Sequence, residues 1–144
     1  MTTYTLAEAR DTIIAHFENE WVNVLGLALS DIYYQNRRND SPENGEVKWC
    51  RFSLFNTAFN KSSLTNIDGV CQYDREAILL IELLVPLDDG IDDVTSQGVL
   101  DIFEGGVPSM NGIWFREVTV KEIGASENWY RTDIIARVLY NQVK

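Results

Sequence analysis

The ten residues from Glu76 to Val85 (EAILLIELLV) constrain this chain more than any other stretch. Apart from Glu76 and Glu82 the run is apolar, it is strand-like in length, and it is cut off by Pro86 and then Asp88-Asp89-Gly90. Such a run belongs at the centre of a sheet, because an edge position leaves too much of it in water. Glu82 within it has three options: it points into solvent, crosses a subunit boundary, or pairs with an arginine.

The other elements arrange themselves around that strand. Thr5-Leu6-Ala7-Glu8 is a capping box, and Leu6, Ala9, Ile13, Phe17 and Trp21 then recur at helical spacing, with Gly26 as a stop. Asp31 to Gln35 reads as a short strand, and Asn36 to Glu46 as a polar loop. Val47 to Phe55 alternates with large apolar groups on both sides, so it is a strand covered in part on two faces. Asn56 to Tyr73 is punctuated by Asn, Ser, Thr and Gly and reads as an irregular excursion. Asp92 or Asp93 caps a second helix with Val94, Val99, Ile102 and Phe103 as its stripe and Gly105-Gly106 as its end. Gly98 inside it costs about 1 kcal/mol relative to Ala. Ile113 to Ile123 and Trp129 to Tyr140 form a hairpin across a loop from Gly124 to Asn128. The expected fold is α+β: a mostly antiparallel five-stranded sheet with two helices, in the order α-β-β-β-α-β-β. With 144 residues and no linker or internal repeat, residues 1–144 form a single domain.

Charge excludes several classes of function. There are 22 acids against 12 bases, a net charge of −10, which is the wrong sign for a nucleic-acid clamp or a polybasic membrane anchor. Aromatic residues make up 11% of the chain, too many for a solvated, disordered one. The N-terminus does not read as a signal peptide, and no apolar run is long enough to span a bilayer. The chain is expected to be made in a reducing cytoplasm.

No catalytic constellation stands out. His16 is the only histidine, four residues before Glu20 on a helix face, where a solvated pair is the ordinary outcome. Cys50 and Cys71 lack metal-ligand spacing, and a disulfide between them is open to the chain without being required. Cys50 reads as a small buried hydrophobe within a strand. Between Arg75 and Arg116 there is no Lys or Arg but eight acids. Asp88, Asp89, Asp92 and Asp93 invite comparison with a calcium loop, yet the glycine falls third rather than sixth and nothing fits at the twelfth position. Helix capping accounts for these carboxylates without a metal, and there is no phosphate-binding loop. No cofactor or metal is expected.

The order of features across residues 4 to 141 resembles the tail terminator family of long-tailed phages. An N-terminal amphipathic helix carries late aromatics (Phe17, Trp21), and a strand ends in Tyr34-Gln35-Asn36. Trp49-Cys50-Arg51-Phe52 precedes an Arg-led apolar strand ending in proline, from Arg75 through Pro86. A helix and two closing strands follow, the second opening at Asn128-Trp129-Tyr130.

The resemblance implies a non-enzymatic virion protein at the head-proximal end of the tail. It would form a ring, typically a homohexamer, that caps the tail tube, stops its polymerisation and meets a head-completion or connector protein. DNA would pass through the lumen without specific binding, which a net negative charge favours. A ring of identical subunits needs two different, complementary patches on each. The acidic stretch Asp88, Asp89, Asp92 and Asp93, facing the lumen or a basic neighbour, and Arg37 and Arg38 on the polar loop, are the candidates. Alternatives are another small connector or minor tail protein and, from a different class, a small carboxylate-based hydrolase or ligand-binding domain.

Overall fold

Thr5 and Glu8 start the first helix by reciprocal hydrogen bonds: the Glu8 amide donates to the Thr5 hydroxyl, and the Thr5 amide donates to the Glu8 carboxylate, each at 3.1 Å. Helix α1 (Leu6–Asn23) follows, burying Ala9, Ile13, Phe17 and Trp21 at the expected spacing. Leu6 departs from the expected stripe and stands 43% exposed, because the first turn overhangs the core. The helix ends at Asn23, and Gly26 takes a left-handed φ of 70° in the turn beyond, which a glycine adopts without strain. The chain then forms a 3-10 turn (Leu29–Asp31), β1 (Ile32–Tyr34), β2 (Trp49–Lys61), β3 (Gln72–Pro86), α2 (Asp93–Glu104), β4 (Ile113–Ser126) and β5 (Trp129–Val143). This computed structural model describes residues 3–35, 47–61, 72–87, 90–104, 112–126 and 128–143.

The fold is α+β, with one five-stranded sheet in the spatial order β1-β2-β3-β5-β4. The apolar run lies in β3, the middle strand. The sheet is mixed, which corrects the expectation of a mostly antiparallel one: β2–β3, β3–β5 and β4–β5 are antiparallel, whereas β1 runs parallel to β2. The connection between Tyr34 and Trp49 is long enough to carry the chain back to the same end of the sheet, as a parallel pair requires.

Two further expectations are corrected. The stretch after Asn56 is not irregular throughout, since β2 continues to Lys61 and β3 already begins at Gln72. A bulge between Asn56 and Ala58 absorbs the polar interruption and lets pairing resume. Likewise, Gly124 to Ser126 do not form part of a loop; they pair with Arg131 to Trp129. A second irregularity, between Glu122 and Gly124, accommodates the glycine at φ 108°.

Pleating separates two faces. Cys50, Phe52 and Leu54 of β2 share a face with Ala77, Leu79, Ile81, Leu83 and Val85 of β3 and with Ile134, Ala136, Val138 and Tyr140 of β5. All belong to one buried cluster that also contains the inner sides of both helices. Phe17 joins the layers, lying 5.5 Å from Phe52 and 6.1 Å from Phe103 between ring centroids, and Phe103 meets Phe115 edge-on at 5.0 Å. His16 Nε2 lies 3.4 Å from the carbonyl oxygen of Ile102, so the single histidine bridges the two helices. The opposite face of the sheet carries Arg51, Phe55, Ile78, Glu82, Arg131, Arg137 and Trp114, with charged and apolar groups interleaved.

Candidate functional site

Among the described residues, three features outside the shared core stand out for their charge or exposed apolar surface. The first is a ladder of ion pairs dictated by strand register. Arg51 of β2, Glu82 of β3 and Asp133 of β5 stand side by side on the outer face. Glu82 therefore adopts the third of its options, pairing with Arg51 at 3.8 Å and Arg131 at 3.5 Å. Arg131 also forks onto Asp133 with bonds of 2.8 and 3.0 Å. The hydrogen bond to Asp133, which outweighs partial burial, and the charge of Glu82 raise the Arg131 pKa above its ordinary value. These charges satisfy one another and leave little to attract a ligand.

The second feature is the end of the molecule where α2 begins. Asp92 caps that helix, accepting from the Thr95 amide at 2.9 Å and from its hydroxyl at 2.8 Å. It also pairs with Lys48 at 2.6 Å. Burial pushes the Asp92 carboxyl up, but the hydrogen bonds from Lys48 and Thr95 and the Lys48 charge outweigh it, leaving the pKa below 3.8. Asp92 is thus a cap and an anchor rather than a surface carboxylate. Asp93 is exposed and makes no ion pair among the described residues. Val94 was expected in the helix stripe but is 84% exposed, the most of any large apolar side chain described. Thr95 and Ser96 are buried in its place, because the capping contacts turn that side of the first turn inward. Ile91 beside them is 56% exposed.

The third feature is a cleft of about 460 Å³ near the other end of β3 and β5, lined by Asp74, Arg75, Trp114, Arg116 and Leu139 together with Tyr140 and Asn141. Trp114 stands opposite Leu139 in the β4–β5 register and is 46% exposed. Arg116 stands opposite Arg137. Arg137 turns to Glu76 at 2.8 Å and Glu117 at 3.2 Å. Arg116 is left without an ion pair among the described residues. Arg75 donates to Gln142 at 2.7 Å and lies over the Tyr73 ring.

Of the six residues expected at interfaces, Arg37, Arg38, Asp88 and Asp89 lie outside the described residues. Asp92 and Asp93 are adjacent at the start of α2 but have different roles. The cleft was not expected. Its sequence signal was Trp114 and Arg116 sharing one phase of an alternating strand, the phase that does not face the helices. Among the described residues no group of three or more His, Cys, Asp or Glu side chains converges as a metal site requires. Cys50 is a free, buried thiol, and Cys71 lies outside the described residues. No described helix is long and apolar enough to cross a membrane.

No family model matches the sequence, and no curated protein matches it. The chain is similar to a solved structure, known by a serial designation without a functional name, at a TM-score of 0.59 and 14% identity. The match covers 91% of this chain and 94% of the other, so the likeness is one of fold, shared along nearly the whole of both chains.

Proposed function

We propose that this chain is a tail terminator of a long-tailed phage: a structural protein, without enzymatic activity, that forms a ring of six copies on the end of the tail tube. The ring ends tube polymerisation, offers the surface on which the head-completion or connector protein docks, and lets DNA pass through its lumen. The finished ring sits in the virion at the head-proximal end of the tail.

One observation carries this reading beyond the ordered resemblance in sequence. Unlike surfaces stand toward opposite ends of the same sheet, an acid with exposed aliphatic groups near one end and a cation with an exposed tryptophan near the other. Head-to-tail contact between such surfaces is the heterologous kind from which cyclic rings are built. A net charge of −10 suits a lumen that must not hold DNA.

Light scattering over a range of concentrations, with negative-stain imaging of the same samples and of samples mixed with purified tail tubes, tests the reading. Open-centred hexamers, free or seated on tube ends, with growth of the capped tubes halted, are the expected result. Tubes that keep elongating in the presence of excess protein would sink it.

A further inference from the structure

Arg116 is held in an unfavourable place. Like charges directly opposite across a strand pair destabilise it, and Arg116 faces Arg137. Arg137 is relieved by Glu76 and Glu117. Arg116 has no described acid of its own, although the chain carries a net charge of −10. Beside it Trp114 exposes 46% of its surface against half-buried Leu139, in a cleft of about 460 Å³. Asp74 lines the same cleft and stands in the strand phase of Trp114 and Arg116, without an ion pair to Arg116 among the described residues, whereas Arg75 stands opposite buried Tyr140 and donates to Gln142. Tryptophan and arginine are among the residue types enriched at the energetic hot spots of protein interfaces. Arg116 and the exposed Trp114 together suit a carboxylate flanked by apolar side chains.

The start of α2 has that composition. Ile91, Asp93 and Val94 are exposed together, with Asp93 free of any described ion pair. They are held rigidly, because Asp92 between Ile91 and Asp93 is tied to both Lys48 and Thr95. Lys48 directly precedes Trp49, which stands opposite Leu84, whereas Trp114 is in line with Leu139 and Glu76. The eight-residue offset along β3 sets the two surfaces roughly 26 Å apart at about 3.3 Å per residue. One copy cannot fill its own cleft.

We propose that the cleft of Trp114 and Arg116 receives the Ile91–Val94 segment of a second copy of this chain, Asp93 meeting Arg116 while Val94 and Ile91 cover Trp114. The contact is heterologous, so each copy offers one segment and one cleft, and the assembly propagates until it closes. This rests on the ring reading above and names the two surfaces that make the ring.

Charge exchange tests it in solution. Arg116→Glu and Asp93→Arg, each alone, are expected to weaken self-association at least about tenfold, and the double variant to recover it. An equal mixture of the two single variants permits contacts only between unlike variants, both of them charge-complementary, and should recover self-association with the two variants alternating. Trp114→Ala should abolish assembly without charge change, and circular dichroism would establish that each variant is folded, since all three side chains are exposed. Association of Arg116→Glu and Trp114→Ala equal to that of the unaltered protein would overturn the proposed contact while leaving a ring built on other surfaces. An unaltered protein that stays monomeric into the millimolar range would overturn it too, and tube capping would then report separately on the terminator reading. Conversely, charge-exchange rescue without tube capping would support the contact and remove the terminator assignment.

Discussion

Gly98 is costly in its helix, and the tip of a neighbouring leucine occupies the space that a Cβ would take. A Cβ at that position would fall 2.3 Å from Leu25 Cδ2, so the helix lacks a side chain where the end of α1 leans against it. Replacing a helical glycine by alanine usually stabilises by about 1 kcal/mol. Here Gly98→Ala is expected to give only part of that gain, because the Leu25 side chain must first turn aside, whereas in a Leu25→Ala background it should give most of it. Urea denaturation of the four proteins of the cycle measures the difference. Cys50 too is governed by its surroundings. Burial, and then the nearby Asp31 charge, push its thiol pKa well up, and thiolate is the reactive form. In a Cys71→Ser background the folded protein should leave a thiol reagent unconsumed, and unfolding should release one reactive group. Cys50 was legible in the sequence as a buried hydrophobe. The close approach of Leu25 to Gly98 was not, because it joins residues far apart in the chain that no local period relates.

At the scale of elements, the N-terminus of α2 depends on Asp92. Asp92→Ala removes a cap worth about 0.5–2 kcal/mol together with the Lys48 pair, and it should lower stability by about 1–2 kcal/mol at neutral pH. Because the folded-state pKa of Asp92 lies below its ordinary value, its contribution is present at pH values above about 4 and is lost as the pH falls through the folded value. Denaturation curves at pH 7 and pH 3 should therefore differ less for Asp92→Ala than for the unaltered protein. The elements themselves were read well where one period dominates, as in α1 from its capping box and in β3 from its apolar run. They were misread where a bulge breaks the period. Asn56 looked like the end of a strand because its polar side chain faces inward, yet it accepts a hydrogen bond from the Tyr140 hydroxyl at 2.9 Å and so belongs in the sheet. Likewise β1 pairs in parallel with β2, a choice of direction that strand-forming propensity does not encode.

For the whole molecule, the distribution of charge decides what the surface can do. Arg51, Glu82, Arg131 and Asp133 cancel within the sheet, and Arg116 does not. If the unpaired cation and Asp93 hold copies together at an exposed contact, salt must weaken that contact, since screening shortens from about 8 Å at physiological ionic strength to about 3 Å at 1 M. Sedimentation velocity between those conditions should show assemblies dissociating with salt, and Trp114→Ala protein showing no dependence because it does not assemble. The resemblance to a ring-forming family implied two unlike patches on each copy, with the acidic stretch that includes Asp92 and Asp93 as one candidate. The partner patch was sought in the adjacent Arg37 and Arg38, a visible pair. Arg116 enters the proposed contact because it stands across from Arg137, a relation that exists only once β4 and β5 are in register.

The backbone amide of Tyr4 donates to the carbonyl of Asn141 at 2.8 Å, and Asn141 borders the cleft. The first and last turns of the described chain are therefore stitched together next to Trp114. An affinity tag, fluorescent protein or linker fused before residue 4 or after residue 143 starts from that same corner, whichever end is chosen. Moving a label from one end to the other offers no escape from obstruction there, and a reporter meant to leave assembly undisturbed has to be carried by another part of the surface.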